Sequence, residues 1–121
     1  MTMFDERERA SESLFAHEEE VRFLALARRN QLFARWAAEQ LGLYGSERHG
    51  YIASFVEDAV QPQSDAALID RVRADLVADG VETSDERIGA AFVTAMADAV
   101  RQVRTETRAG VTGSSRATCR L

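Results

Sequence analysis

The side chains that could act as nucleophiles, general bases or metal ligands are few in this chain and widely separated. Its two histidines, His17 and His49, each lack a second histidine or a cysteine at metal-binding spacing. Three glutamates follow His17, but consecutive residues on a helix point in different directions, so at most two of these four could share an ion. There is no glycine-rich phosphate loop and no lysine for a Walker-type site. Because the serines also lack a paired base, the sequence predicts neither an enzyme nor a metal protein.

The charge distribution separates the first twenty residues from the rest. The net charge is −5, with 20 acidic residues and 15 basic residues, all of them arginine. Residues 1–20, MTMFDERERASESLFAHEEE, hold seven acids and two arginines, so they account for the whole imbalance. A neutral body with an acidic segment argues against nucleic acid as the main partner. The acidic start is unlike a signal peptide, and no apolar run reaches membrane-spanning length, so we expect no membrane insertion.

The first helix is predicted from about Asp5 to Leu41, and its apolar pattern changes near Val21. Before Val21 a single stripe is apolar, formed by Met3, Phe4, Ala10, Leu14 and Phe15. After Val21 two sides are apolar, with Phe23, Leu26, Ala27, Phe33, Ala34, Ala37 and Leu41 on one side and Leu24, Ala25, Leu32 and Trp36 on the other. A helix that is apolar on two sides is buried among neighbours, whereas a single stripe lies on a surface. The pattern therefore predicts an arm of residues 1–20 that projects from a bundle of residues 21–108.

Three further helices are predicted in the bundle. The second runs from Ser46 to about Val60, the third ends near Asp79, and the fourth runs from Asp85 to about Thr107. Ser64 or Asp65 would cap the third helix, Gly80 would end it, and Thr83 or Ser84 would cap the fourth. The predicted inward faces are Ile52, Phe55, Val56 and Ala59, then Leu68, Ile69, Val72, Leu76 and Val77, and then Ile88, Phe92, Ala95, Met96, Ala99, Val100 and Val103. The fold class is all-α, a four-helix bundle, followed by a disordered tail of residues 109–121.

The two arginines in the middle of the first helix have more than one interpretation. Arg28 and Arg29 fall in the middle of an apolar helix, either as two solvated arginines beside a core amide, Asn30, or as a basic patch for an anion or an acidic partner. The single cysteine, Cys119, cannot form an internal disulfide and fits a reducing cytoplasm.

The stretch FDERERASESLFAHEEEVRFLALARRNQLFARWAAEQLGL, residues 4–43, resembles the start of the ATPase inhibitor zeta subunits of alphaproteobacterial ATP synthases. The similarity continues in helix layout through VEDAVQP and DRVRADLVADGVETSDERI. Leu24 and Gln31 stand where the family pattern has lysine.

The resemblance implies a regulatory inhibitor, not an enzyme, whose N-terminal helix enters the interface between the alpha and beta subunits of the catalytic head and reaches the gamma shaft. The expected partner-binding residues are Phe4, Asp5, Arg7, Glu8, Arg9, Glu12, Leu14 and Phe15. The protein is expected to be a monomer when free, and cytoplasmic in association with the membrane-bound synthase. No cofactor is expected beyond weak ADP or ATP binding, for which Arg28 and Arg29 are the candidates. The alternative is a nucleotide-binding or adaptor bundle with little or no effect on ATP hydrolysis.

Overall fold

The computed structural model describes the backbone of residues 2–61 and 63–119 and the side chains of residues 17–61 and 63–108. These residues form four α-helices and no β-strand: α1 Thr2–Gln40, α2 Gly45–Asp58, α3 Asp65–Ala78 and α4 Asp85–Cys119. The all-α four-helix bundle predicted from the sequence is confirmed. Helix α4 ends at Cys119, beyond the predicted end near Thr107. The disordered tail of residues 109–121 stays a prediction.

Glycines end two of the helices. Gly80 follows α3 with a φ of 72°, in the left-handed region that is costly for residues with a Cβ. This conformation lets the backbone N–H of Val81 donate to the carbonyl of Leu76 at 2.9 Å, which satisfies an orphan acceptor of the last turn. Gly42 ends α1 in the same way, with a φ of 73°.

Serines cap the two C-terminal helices. The Oγ atom of Ser64 accepts a hydrogen bond from the backbone N–H of Ala67 at 3.1 Å, at the start of α3. The Oγ atom of Ser84 does the same for Arg87 at 3.2 Å, at the start of α4. The sequence offered Ser64 or Asp65 as the cap of α3, and Thr83 or Ser84 as the cap of α4. In both helices the serine accepts the hydrogen bond from a first-turn N–H group.

The main core is built by side chains from all four helices. Phe33 of α1 lies at its centre, fully buried, with its ring 5.1 Å from that of Phe92 on α4 and 6.0 Å from that of Phe55 on α2. Both contacts are edge-to-face, the geometry that aromatic quadrupoles favour. The buried members of this core are Phe33, Ala34, Ala37, Phe55, Leu68, Val72, Leu76, Ile88, Phe92 and Ala95.

Four apolar residues that were expected to face inward are exposed: Phe23, Leu24, Ala27 and Val77. Phe23 is 71% exposed and Val77 is 70% exposed, and the prediction that these four residues are buried is wrong. Near Phe23, the buried apolar cluster contains residues of α1 and α4 only. Among the described residues, this part of α1 is therefore covered on the side that faces α4. Val77 follows Leu76 directly, and a helix turns by about 100° per residue, which rotates Val77 away from the core.

Candidate functional site

The predicted partner-binding residues lie outside the part of the chain whose side chains are described. These residues are Phe4, Asp5, Arg7, Glu8, Arg9, Glu12, Leu14 and Phe15. Their role stays a prediction. The described residues do show where α1 leaves the bundle. Residues 17–20 are all exposed, whereas Val21 is buried. The change occurs at the position where the apolar pattern of the sequence changes.

Beyond the main core, α1 continues along α4 in a seam of small apolar residues. Ala25 and Ala99 are fully buried there, together with Val21 and Val103. Small side chains let the two backbones approach closely. We refer to this four-residue cluster as the α1–α4 seam. It is the last buried apolar contact in the described residues before the acidic segment begins.

Arg28 joins α1 to α4 next to the seam. Its Nη1 atom donates to Oε1 of Gln102 and to Oε1 of Glu106, both at 2.8 Å, and its Nη2 atom donates to Oε2 of Glu106 at 2.7 Å. This bidentate pair raises the pKa of Arg28 and lowers the pKa of Glu106. Because Glu106 is mostly exposed, solvent weakens the attraction. The pair therefore contributes little to the free energy of folding, and its main effect is to orient α1 relative to α4.

Arg29 is buried, so the interpretation of two solvated arginines is wrong for this residue. Its guanidinium carbon lies 4.6 Å from the centre of the Phe92 ring, a cation–π contact. Its Nη1 atom donates to Oδ1 of Asp65 at 3.3 Å, and its Nε and Nη2 atoms donate to Oδ1 of Asn30. Burial lowers the pKa of Arg29, and Asp65 opposes this effect. The guanidinium group can be buried here because the Phe92 ring packs against it and because Asp65 and Asn30 accept its hydrogen bonds.

Nucleotide binding by Arg28 and Arg29 stays a prediction. Both guanidinium groups are engaged by carboxylates of the chain itself. A phosphate at these arginines would have to replace Glu106 or Asp65.

A groove that the sequence did not indicate lies between α1 and α4. It has a volume of about 480 Å³, and Leu32, Trp36, Ala90, Ala91 and Ala95 form its apolar lining. Arg35 of α1 and Arg87 of α4 both lie on the groove, and so do two acidic residues, Glu39 and Asp98. Among the described residues neither arginine forms an ion pair within 4.0 Å. No local pattern could have joined these two arginines, because only the packing of α1 on α4 brings them to the same groove.

A family model described as ATPase inhibitor subunit zeta matches residues 1–102 of the chain. The chain belongs to this family. The match includes the predicted arm and most of the bundle, and it leaves residues 103–121 outside. The comparison with curated proteins finds no match, and neither does the comparison with solved structures. The resemblance seen in the sequence is thereby confirmed.

Membership of the zeta family supports a regulatory role as an inhibitor of ATP synthase. Two structural findings concern the described residues alone. Within residues 2–61 and 63–119, no helix has the length and apolarity needed to cross a membrane. Among the side chains that are described, no three His, Cys, Asp or Glu residues are grouped as ligands for a metal ion.

Proposed function

We propose that this zeta-family chain inhibits ATP hydrolysis by the bacterial ATP synthase through its arm, residues 1–20. The arm inserts between the alpha and beta subunits of the catalytic head, near the gamma shaft. The observation that carries this proposal is the family match, which begins at the first residue and so includes the arm. The free protein is a monomer in the cytoplasm and associates with the membrane-bound synthase.

The amino-acid composition of the arm supports binding in a crevice of a partner. Its apolar residues form one stripe on a helix that is otherwise charged, so it has a surface that only a partner can bury fully. Phe4, Leu14 and Phe15 would each contribute about 2–3 kcal/mol on full burial. Ordering the arm costs about 1–2 kcal/mol per residue in backbone entropy, and helix hydrogen bonds largely offset this cost once a helix nucleus exists.

The bundle supports the same role by anchoring the root of the arm. Helix nucleation is costly because several residues must be fixed before the first hydrogen bond forms. The arm continues a helix whose residues from Val21 onward are packed against α4, so this cost is already met. The acidic residues would then be attracted to basic groups of the head, which raises the association rate more than the affinity.

The direction of inhibition follows from where the arm inserts. Hydrolysis would close the alpha–beta interface on the helix, whereas synthesis turns the shaft in the opposite sense and expels it. The protein should therefore slow ATP hydrolysis by the purified synthase while leaving ATP synthesis nearly unchanged.

An ATP hydrolysis assay with graded amounts of protein tests the proposal. We expect Phe15→Ala to raise the half-inhibitory concentration at least tenfold, since about 1.4 kcal/mol corresponds to a factor of ten. Phe4→Ala combined with Phe15→Ala should abolish inhibition. The matched control is Phe23→Ala, which removes an exposed phenylalanine from the same helix just outside the arm and should change little. Inhibition by a chain that lacks residues 1–20, equal to that of the full chain, would refute the role of the arm.

A second candidate function, adenine nucleotide binding, is favoured by the groove beside Trp36. An indole at the groove can stack on a base, and Arg35 and Arg87 can pair with phosphates. An ADP titration followed by NMR should shift the amides around Trp36 and leave those around Arg28 in place. Shifts centred on Arg28 and Arg29 would instead favour the site expected from the sequence.

A further inference from the structure

Another cavity on the bundle lies between α1 and α2 and has a volume of about 680 Å³. Gln31 and Arg35 line it from α1, and residues of α2 between Arg48 and Glu57 provide the rest of the lining. This volume is within the range of small-molecule sites in proteins. Neither the arm nor the groove beside Trp36 accounts for this cavity, although Arg35 lies on both the groove and the cavity.

The lining of the cavity includes an arginine with an unpaired buried donor. The Nε atom of Arg48 is buried, and no described residue accepts a hydrogen bond from it. The Nη2 atom of Arg48 lies 4.0 Å from Oε1 of Glu39, which is too long for a hydrogen bond. Buried donors without a partner are uncommon, because they lose their contact with water and gain no hydrogen bond in return. A ligand that brings an acceptor to Arg48 would therefore stabilise this part of the bundle.

Two further donor side chains, Arg35 and His49, line the same cavity. Among the described side chains, Arg35 forms no ion pair within 4.0 Å. A guanidinium group can pair with a carboxylate through two parallel hydrogen bonds, which are stronger than bonds between neutral groups. The imidazole of His49 provides another N–H donor. Together with Arg48, these side chains favour a ligand with an anionic head group.

The part of α2 that follows Arg48 provides an apolar wall. Ile52, Ala53 and Val56 line the cavity at spacings that place them on one face of the helix. Arg48 and Val56 are eight residues apart, which corresponds to about 12 Å along the helix axis. None of the described residues that line this cavity is phenylalanine, tyrosine or tryptophan, whereas Trp36 lies on the other groove. An aliphatic chain therefore fits this wall better than a base, which binds best by stacking on an aromatic ring.

Two glutamates limit the charge that a ligand can carry here. Glu57 lines the cavity, and Glu39 lies beside Arg48. Their negative charges oppose the positive charges of Arg35 and Arg48, so the net positive charge of the cavity is small. One guanidinium group is enough to hold a ligand with a single negative charge, whereas both glutamates would repel a polyphosphate.

We propose that the cavity between α1 and α2 binds a monocarboxylate with an aliphatic chain. The carboxylate accepts hydrogen bonds from Arg48 and Arg35, and the chain lies along Ile52, Ala53 and Val56. This site does not include the arm, so the proposal is independent of the inhibitory role.

Titration of the full-length chain with octanoate, followed by amide NMR spectra, tests the proposal. Octanoate should shift the amides of residues 48–57 until the site is saturated. Arg48→Gln should weaken binding at least tenfold, because it removes the charge and the unpaired Nε–H donor. This variant should melt close to the wild-type temperature, because the 4.0 Å contact with Glu39 is weak. The matched control is Arg87→Gln, which removes an arginine from the groove beside Trp36 and should leave octanoate binding unchanged.

Three comparison ligands test the chemical class. Acetate has the head group without the chain, and octanol has the chain without the charge, so both should bind at least tenfold more weakly than octanoate. ADP should not shift the amides of residues 48–57. The proposal is overturned if octanoate causes no shifts or causes shifts centred on Trp36, or if Arg48→Gln binds octanoate as tightly as the wild type. Equal binding of acetate or octanol, or a response of residues 48–57 to ADP alone, also overturns it. The hydrolysis assay tests the role of the arm separately.

Discussion

The α1–α4 seam makes a prediction that depends on the size of a single side chain. Ala99 is fully buried between the two helices and belongs to the same apolar cluster as Ala25. A leucine at position 99 would have to push the helices apart or adopt a strained rotamer. Ala97 lies two residues away on the same helix and is exposed, so Ala97→Leu makes the same chemical change without the crowding.

The size of the effect follows from the packing. Overfilling a well-packed core costs about 1–3 kcal/mol. At an exposed helix position the same substitution should change the free energy of unfolding by less than about 0.5 kcal/mol. For a domain of this length, 1 kcal/mol corresponds to about 4–8 °C in the melting temperature. With a cost of about 2 kcal/mol, the middle of this range, we expect Ala99→Leu to melt roughly 8–16 °C below Ala97→Leu.

Thermal and urea unfolding followed by circular dichroism at 222 nm would test this expectation. Agreement between the two methods would support a single cooperative transition. If Ala99→Leu and Ala97→Leu melt at the same temperature, the seam is not closely packed and cannot anchor the root of the arm. The reasoning about helix nucleation at Val21 would then be refuted as well.

Two further predictions concern the core and its polar edge. Phe33→Ala should destabilise the bundle by about 3–5 kcal/mol, visible as a loss of helical signal at moderate urea, because the cavity opens at the centre of three aromatic contacts. Burial, together with the 2.8 Å hydrogen bond that Tyr51 donates to Asp75, raises the pKa of the Tyr51 hydroxyl above its usual 10.0. The folded state then binds this proton more tightly than the unfolded chain, so its contribution is complete below about pH 10 and is lost as the pH rises further. Urea unfolding should show this alkaline loss in wild type and in Tyr44→Phe, whose tyrosine is exposed, but less in Tyr51→Phe.

Much of the fold could be predicted because helices and their ends depend on neighbours in the chain. The glycines at positions 42 and 80 end helices through their own left-handed backbone. Ser64 and Ser84 cap through a hydrogen bond to a residue three positions on. The apolar spacing of α4 located its buried face from Ile88 to Val103 without knowledge of the other helices.

The burial of Arg29 and the exposure of Phe23 could not be predicted, because both depend on which helices extend far enough to cover α1. Arg29 lies where Phe92 of α4 and the first residue of α3 approach it, so a charged side chain finds partners inside the bundle. Phe23 lies only six residues earlier, where the described apolar packing comes from α4 alone. Hydropathy alone would predict the reverse, an exposed Arg29 and a buried Phe23.

The same distinction between local sequence patterns and tertiary contacts applies to the arm and to the residues that join α1 to α4. The order of residues alone revealed an acidic segment, a change of pattern at Val21 and a resemblance to the zeta family, because charge and periodicity are properties of short stretches. The pairing of Arg28 with Glu106, and of Arg104 with Glu18, required the folded bundle. Such contacts join residues more than seventy positions apart, and only the antiparallel packing of α1 on α4 brings them within hydrogen-bonding distance.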